Sequence, residues 1–324
     1  MKHPERGTDS LLRPAERPDT AHSTEGALGT IRTWFLETRP QFLVISPVLI
    51  FLGTAIALYQ GHFDPLYAGL ALVGMVLVHM SVNTLNDYFD FRSGIDLEVS
   101  RTPFSGGSGI LAAGLLAPAS VRRFGVICFL LAVPIAVFFV VVRGWLLIPI
   151  LIAGAICLAL YTTHLSRWGL GELAAGLGLG SLPVLGAYVV QTGTYSWEAL
   201  IGVVPSGVLL YTGLLLFEFP DMEPDRKAGK RTFPVLIGKD RSALLYSVLI
   251  IVLYAWIIAW SVAGFMPLLA LLALLTVPLA VRAMAGALNH GEEDRFFRGL
   301  KANLTVLLGV QVLLAVGYVI AAVI

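Results

Sequence analysis

Long apolar runs alternate with short polar gaps from residue 41 to the end of the chain. They lie at roughly 41–60, 66–86, 119–142, 145–163, 170–190, 199–219, 243–264, 266–286 and 302–323. Each is close to the ~20 residues that carry a helix across a hydrocarbon core. The pattern predicts an all-α, polytopic membrane protein with about nine transmembrane helices in a bundle. Pro47, Pro134, Pro149, Pro183, Pro205, Pro267 and Pro278 fall in or beside the runs. Such prolines are tolerated in lipid where neighbouring helices satisfy the freed backbone groups. The fifth run holds Gly176, Gly178 and Gly180, which suits close helix packing through small residues; lining a substrate path is the other reading. Ahead of the runs, residues 1–28 read as a disordered cytosolic tail, and 29–324 as the transmembrane domain. Within 29–38, Ile31, Trp34, Phe35 and Leu36 group at helical spacing and suggest a short interfacial helix.

Composition agrees with a membrane setting. The 324 residues are 57% hydrophobic and 13% charged, against about 25% charged in ordinary soluble domains. The formal net charge of +1 is silent about partners, and no nucleic-acid partner is expected. Cys128 and Cys157 sit inside apolar runs and read as reduced small hydrophobes. No signal peptide is visible in the polar N-terminal segment. Glu5, Asp9, Glu16 and Asp19 there argue against an organellar transit peptide. With the N-terminus in the cytoplasm, all of the 22 lysines and arginines except Arg143 fall on the cytoplasmic side, as the positive-inside rule demands.

Two acidic clusters break the apolar pattern. Asn86, Asp87, Asp90, Arg92 and Asp96 follow the second run, and Asp221, Glu223 and Asp225 follow the sixth. Both land on the cytoplasmic side, four runs apart, a spacing that hints at duplication of a four-helix unit. Acids at a membrane boundary are costly unless something uses them. On continuing helices Asp87 and Asp90, and Asp221 and Asp225, would each share a face, although Pro220 and Pro224 break or bend the second helix. Oxygen ligands without histidine or cysteine suit Mg²⁺, which takes one or two carboxylates plus phosphate oxygens. Arg92, Arg101, Arg226, Lys227, Lys230 and Arg231 supply positive charge nearby, and arginine grips phosphate in bidentate fashion. The clusters are therefore expected to face each other and hold Mg²⁺ on a diphosphate. Ordinary salt bridges in solvated loops are the bland reading. The Arg101–Gly109 stretch, rich in glycine and serine, could present backbone N–H groups to an anion or be a plain flexible loop.

The pattern Asn86-Asp87-x-x-Asp90 with Asp96 beyond it, and Asp221-x-x-x-Asp225 before Gly229-Lys230-Arg231-Thr232, resembles the UbiA superfamily of intramembrane aromatic prenyltransferases. Tyr161 and Gly169-Leu170-Gly171-Glu172 resemble the branch acting on 1,4-dihydroxy-2-naphthoate for menaquinone synthesis. The resemblance implies a central cavity open to lipid, Mg²⁺, a polyprenyl diphosphate and an aromatic acceptor. By motif match Asn86, Asp87, Asp90, Asp96, Asp221 and Asp225 become metal–diphosphate ligands. Asp87, Asp90, Asp221, Asp225 and Tyr161 become the catalytic set. Arg92, Arg101, Lys227, Lys230 and Arg231 bind diphosphate, and Arg39 and His164 touch the acceptor. Tyr88, Phe89, Tyr161, Tyr211 and Phe217 are the aromatic candidates for shielding an allylic cation. Asp96 stands six residues beyond Asp90, and Phe217, Glu218 and Pro220 depart from the branch pattern, so the acceptor stays open. The alternatives are 4-hydroxybenzoate, homogentisate, a chlorophyllide, haem or a glycerol-based lipid. An ion-coupled transporter is the reading from a different class, disfavoured because transporter sites lie near the bilayer midplane.

Overall fold

Helices follow the apolar runs. The structure, a computed structural model, describes residues 24–94 and 106–324. Asp96, Arg101 and the tail up to residue 23 lie outside the described residues. α1 (Thr24–Glu37) takes over the last residues of the expected tail. On it Ile31 and Phe35, one turn apart, are 66% and 59% exposed, as suits a helix lying in the interface. Trp34 turns inward against Phe124, ring centroids 5.1 Å apart.

The bundle consists of α2 (Pro40–Tyr59), α3 (Pro65–Ser93), α4 (Pro118–Arg143), α5 (Leu147–Leu160), α6 (Gly171–Thr192) and α7 (Trp197–Phe217). The short α8 (Met222–Lys227) and α9 (Phe233–Ile237) follow, then α10 (Lys239–Val262), α11 (Leu268–Leu288) and α12 (Glu293–Val323). Among the described residues, eight helices are long and apolar enough to cross a membrane, and α5 is shorter. The α5 path continues, however, through a π-helical turn at Tyr161–Leu165 and a last turn at Ser166–Trp168. Its 14, 5 and 3 residues at ~1.5 Å each reach across a ~30 Å core, which recovers the ninth span.

Local chemistry sets where the acid-bearing helices stop. α3 starts at Asp64, whose carboxylate accepts from the N–H groups of Leu66 and Tyr67 at 2.9 and 3.1 Å, a side-chain cap with Pro65 in the first helical position. It ends at Gly94, with φ 85°, the left-handed stop that glycine supplies without strain. α7 stops at Phe217, and the chain resumes as α8 only beyond Pro220, as the proline pair predicts.

The glycines of α6 pack closely on neighbouring helices, and Gly178 also lines a cavity. A Cβ on Gly180 would stand 2.7 Å from the Ser206 carbonyl oxygen, one on Gly176 2.8 Å from that of Gly207, and one on Gly178 2.7 Å from Cys157 Cβ. α6 thus lies backbone-close to α7 and α5. Outward faces are apolar, with Leu130 58%, Val141 78% and Ile251 60% exposed, surface that only lipid can cover cheaply. At the end remote from the acids, Gln60 bonds Tyr188 and Ser196, and Asp64 and Gln191 exchange two hydrogen bonds. Arg143, the odd basic residue, donates there to the Val190 carbonyl at 2.7 Å and lies over Tyr67. That end of the bundle is tied shut.

Gly180→Ala should lower stability by about 1–3 kcal/mol through overpacking against Ser206. Gly69→Ala, with nothing within 4 Å of the added Cβ, should be neutral or slightly stabilising. Thermal unfolding in detergent compares the two, and equal midpoints would contradict the close approach.

Candidate active site

The two acidic clusters meet. Lys230 Nζ lies 3.0 Å from Asp90 on α3 and 3.5 Å from Asp225 on α8. A reversal puts it there: Gly229 has φ 77°, and Lys230 N–H returns to the Asp225 carbonyl at 2.9 Å. Arg231 N–H donates to the Ser166 carbonyl at 2.8 Å, fixing this loop to the end of the α5 path. The glycine-serine stretch joins both clusters from a third side. Gly106 N–H donates to Asp221 at 3.2 Å, and Ser108 N–H to Asp87 at 2.7 Å. Gly106 and Gly107 have φ 84° and 69°, a conformation that favours glycine. The anions these N–H groups meet are the carboxylates themselves. Ser108 Oγ donates to Glu37 at 2.8 Å, which brings α1 into the assembly. Asn86 donates to Asp90 one turn away at 3.3 Å.

Electrostatics explains the role of Lys230. Burial alone would depress its ammonium, but Asp90 first and Asp225 next overcome that and raise it above its ordinary range. Behind it, Glu218 lies just past the end of α7, and burial first and neighbouring Glu172 second push it well above the usual carboxylate range. Glu172 is fully buried, and its Oε1 accepts from the Phe233 N–H.

The donor set fits Mg²⁺. Asp90 Oδ1 is buried with no hydrogen bond, and Asp87 Oδ1 meets only the Arg39 guanidinium at 3.9 Å. Among the described residues no three acidic, histidine or cysteine side chains close into a metal cage. Carboxylates that each offer an open oxygen suit an ion whose shell is completed by water and phosphate.

A cavity of about 210 Å³ opens beside these acids. Arg39, His79, Asn83, Asn86 and Tyr161 are its polar lining, and Phe217 its aromatic wall. Val78, Gly154, Leu158 and Gly178 also border a second, almost wholly apolar cavity of about 260 Å³, so the two lie side by side and share a wall.

The family model of the UbiA prenyltransferase family matches residues 45–322. The chain belongs to the UbiA family. The Bacillus subtilis 1,4-dihydroxy-2-naphthoate octaprenyltransferase is 24% identical over 287 residues, covering 88% of this chain and 91% of that protein. The mouse UbiA prenyltransferase domain-containing protein 1 is 33% identical over 257 residues, 76% and 73% of the two chains. Among solved structures, a UbiA homolog from Archaeoglobus fulgidus bound to DMAPP and Mg²⁺ superposes with a TM-score of 0.58 at 13% identity, covering 90% of this chain and 99% of that one.

Against this UbiA frame, several residues singled out from sequence stand elsewhere. His164 is exposed and packs on Trp168 at 5.4 Å, outside the cavity lining. Arg92 is exposed and donates to the Tyr88 hydroxyl at 3.3 Å, while Lys227, at the end of α8, and Arg231, on the loop beyond it, are exposed. Of the aromatic candidates, Tyr161 and Phe217 face the cavity. Tyr88 is buried in a separate cluster with Leu111 and Val121, Phe89 is exposed, and Tyr211 packs on Phe233. Spacing on one helix does not fix its rotation, so these orientations had no signal in the sequence. Sequence reasoning gave no role to Glu37, Ser46 or His79, and noted Glu172 and Glu218 only as motif positions.

Lys230→Met should destabilise the protein in metal-free buffer by about 3 kcal/mol, because it strands two buried carboxylates. Millimolar Mg²⁺ should recover more stability in the variant than in the wild type. Thermal unfolding with and without Mg²⁺ checks this, and an unchanged midpoint would remove Lys230 from the bridge.

Proposed function

We propose that this UbiA-family protein transfers a polyprenyl group from its diphosphate to an aromatic acceptor, with 1,4-dihydroxy-2-naphthoate as the acceptor, as in menaquinone synthesis. The observation that carries the reading is the meeting of Asp90 and Asp225 on Lys230, beside a cavity lined by Asn86 and Arg39 that shares a wall with an apolar one. One end suits a diphosphate and the other a hydrocarbon tail. The naphthoate assignment is supported by the B. subtilis relative. The mouse relative, named by its domain alone, leaves room for another acceptor. The acids lie together at one end of the bundle, which weighs against an ion-coupled transporter.

Asn86, Asp87, Asp90, Asp221 and Asp225 are the proposed holders of Mg²⁺ and diphosphate, with Asp96 extending the set. When bound, the metal supplies neutralisation of the charge that gathers on the departing diphosphate. Lys230 adds an ammonium to that end. As the allylic C–O bond opens, its electron pair leaves with the diphosphate, and the electron-rich ring attacks the allylic carbon. The attacked ring carbon then releases its own substituent, as a proton or, where it bears a carboxylate, as CO₂, which restores the aromatic ring. Tyr161 and Phe217 turn toward the cavity, where ring faces stabilise positive charge. The apolar walls keep out the water that would otherwise capture the cation.

Turnover should depend strictly on a divalent cation, Mg²⁺ best; full product formation after exhaustive chelation would refute this. Asp90→Ala and Asp221→Ala should each abolish transfer while the protein still inserts and folds. Near-normal rates in either would return the clusters to ordinary ion pairing.

Both acidic loops should face the cytoplasm, since a diphosphate head group cannot cross hydrocarbon unaided. Single cysteines at the exposed positions Ser93 and Arg226, in a variant lacking Cys128 and Cys157, can be probed with an impermeant thiol reagent. Neither should label in intact cells and both should label in inverted vesicles. Labelling from opposite sides would break the proposed site, because one diphosphate could not bridge the loops.

A further inference from the structure

His79 lies deep in α3, 2% exposed, and forms part of the wall of the 210 Å³ cavity. Its Nδ1 is held by Ser46 Oγ of α2 at 2.8 Å, and Ser46 itself is fully buried. That bond fixes the ring plane and uses one of the two ring nitrogens. Among the described residues only Nδ1 of this ring is hydrogen-bonded. A ring nitrogen on a cavity wall can meet a ligand or water. A tie between α2 and α3 would explain Nδ1 but leaves Nε2, on a cavity wall, without a purpose.

Position narrows the ligand. His79, Asn83 and Asn86 follow at steps of four and three on α3 and share one face, and all three line the cavity. His79 is seven residues from Asn86, about 10 Å along the helix axis. One aromatic ring system fits between the diphosphate end and His79. The same cavity receives Arg39, which has φ 54° and ψ 62°, a left-handed backbone that non-glycine residues seldom adopt. Its Nε is buried with no hydrogen-bond partner. Two polar groups of different kinds therefore line one chamber, beside Asn83, Asn86 and Tyr161: a guanidinium N–H suited to a carboxylate, and an imidazole nitrogen suited to a hydroxyl.

We infer that His79 forms the acceptor subsite together with Arg39, its Nε2 hydrogen-bonding a ring hydroxyl of a hydroxy-aromatic acid whose carboxylate meets Arg39. This rests on the prenyltransfer reading and deepens it. His79 is a recognition and positioning residue, and Ser46 acts through it by holding the ring.

The test uses the full-length protein in detergent with Mg²⁺, a polyprenyl diphosphate, and two acceptors: 1,4-dihydroxy-2-naphthoate and an analogue lacking one ring hydroxyl. An asparagine at this position puts its amide near Nδ1 and keeps the tie to Ser46, whereas a glutamine reaches the place of Nε2. His79→Asn should therefore raise the acceptor KM about tenfold, the worth of one hydrogen bond, with the donor KM unchanged. His79→Gln should stay near the wild-type value. His79→Leu should lose the preference for the hydroxylated acceptor over its analogue, and Ser46→Ala should weaken that preference in part. A purely structural histidine predicts the opposite order, with His79→Asn the better variant and both KM values rising together. That result, or an unchanged acceptor preference in His79→Leu, overturns the inference. If His79→Leu does not fold, the order of His79→Asn and His79→Gln decides alone. Failure of the wild type to prenylate any hydroxy-aromatic acid would instead overturn the prenyltransfer reading, and the inference with it.

Discussion

The ammonium of Lys230 between Asp90 and Asp225 is the contact on which the rest of the structure depends. Carboxylates gathered at a membrane boundary repel one another and lose water, and each effect alone opposes folding. Here they are held by a lysine, by the Arg39 guanidinium and by N–H groups of Gly106 and Ser108. These come from three separate segments of chain. The glycine stop of α3, the proline break after α7 and the reversal at Gly229 are the local devices that deliver them.

The bundle around that contact is asymmetric in a useful way. Its far end is sealed by the Gln60, Tyr188, Asp64, Gln191 and Arg143 network, while its flanks stay apolar and its acid end carries the polar groups. Sealing that end leaves the site approachable from the acid end and, for a hydrocarbon tail, through the apolar cavity. Glycines at Gly176 and Gly180 press α6 onto α7, and the π-helical turns at Tyr161–Leu165 and Leu177–Ser181 fall beside the cavity. Such turns shift side chains out of the ordinary helical register and often occur at functional positions.

Much of this was legible in the residues, for identifiable reasons. Apolar runs of bilayer length have few other outcomes than spanning helices, so the spans followed directly. Asp87, Asp90, Asp221 and Asp225 stood out because charge beside such runs is expensive. The break at Pro220 followed from the missing N–H. What stayed hidden depends on helix rotation and on long-range approach. Nothing local distinguishes Tyr161, which faces the cavity, from Tyr88, which does not. His164 drew attention because it sits at a boundary, yet it packs outward on Trp168. His79 passed unnoticed inside an apolar run, although the buried face it occupies is the one that matters. The burial of Glu172 beside Phe233 joins residues 61 apart in sequence, a pairing that no spacing announces.

The division of labour within the cavity bears on how such a protein chooses an acceptor. The acid end answers to a diphosphate, and every prenyl diphosphate carries the same one. The apolar cavity answers to a hydrocarbon tail, and such contacts discriminate only weakly between similar apolar shapes. Selectivity for the acceptor must then come from the few polar groups on the walls, because a buried hydrogen-bonding group rejects a ligand that leaves it unmatched. In the proposed reading those groups are Arg39 and His79, which line the cavity with Asn83, Asn86 and Tyr161. The Glu172 and Glu218 carboxyls lie behind the diphosphate end instead, within the field of Lys230. Both also act on Tyr161, a residue of the cavity wall, so a glutamate at position 218 reaches the cavity through Tyr161 as well as through Lys230.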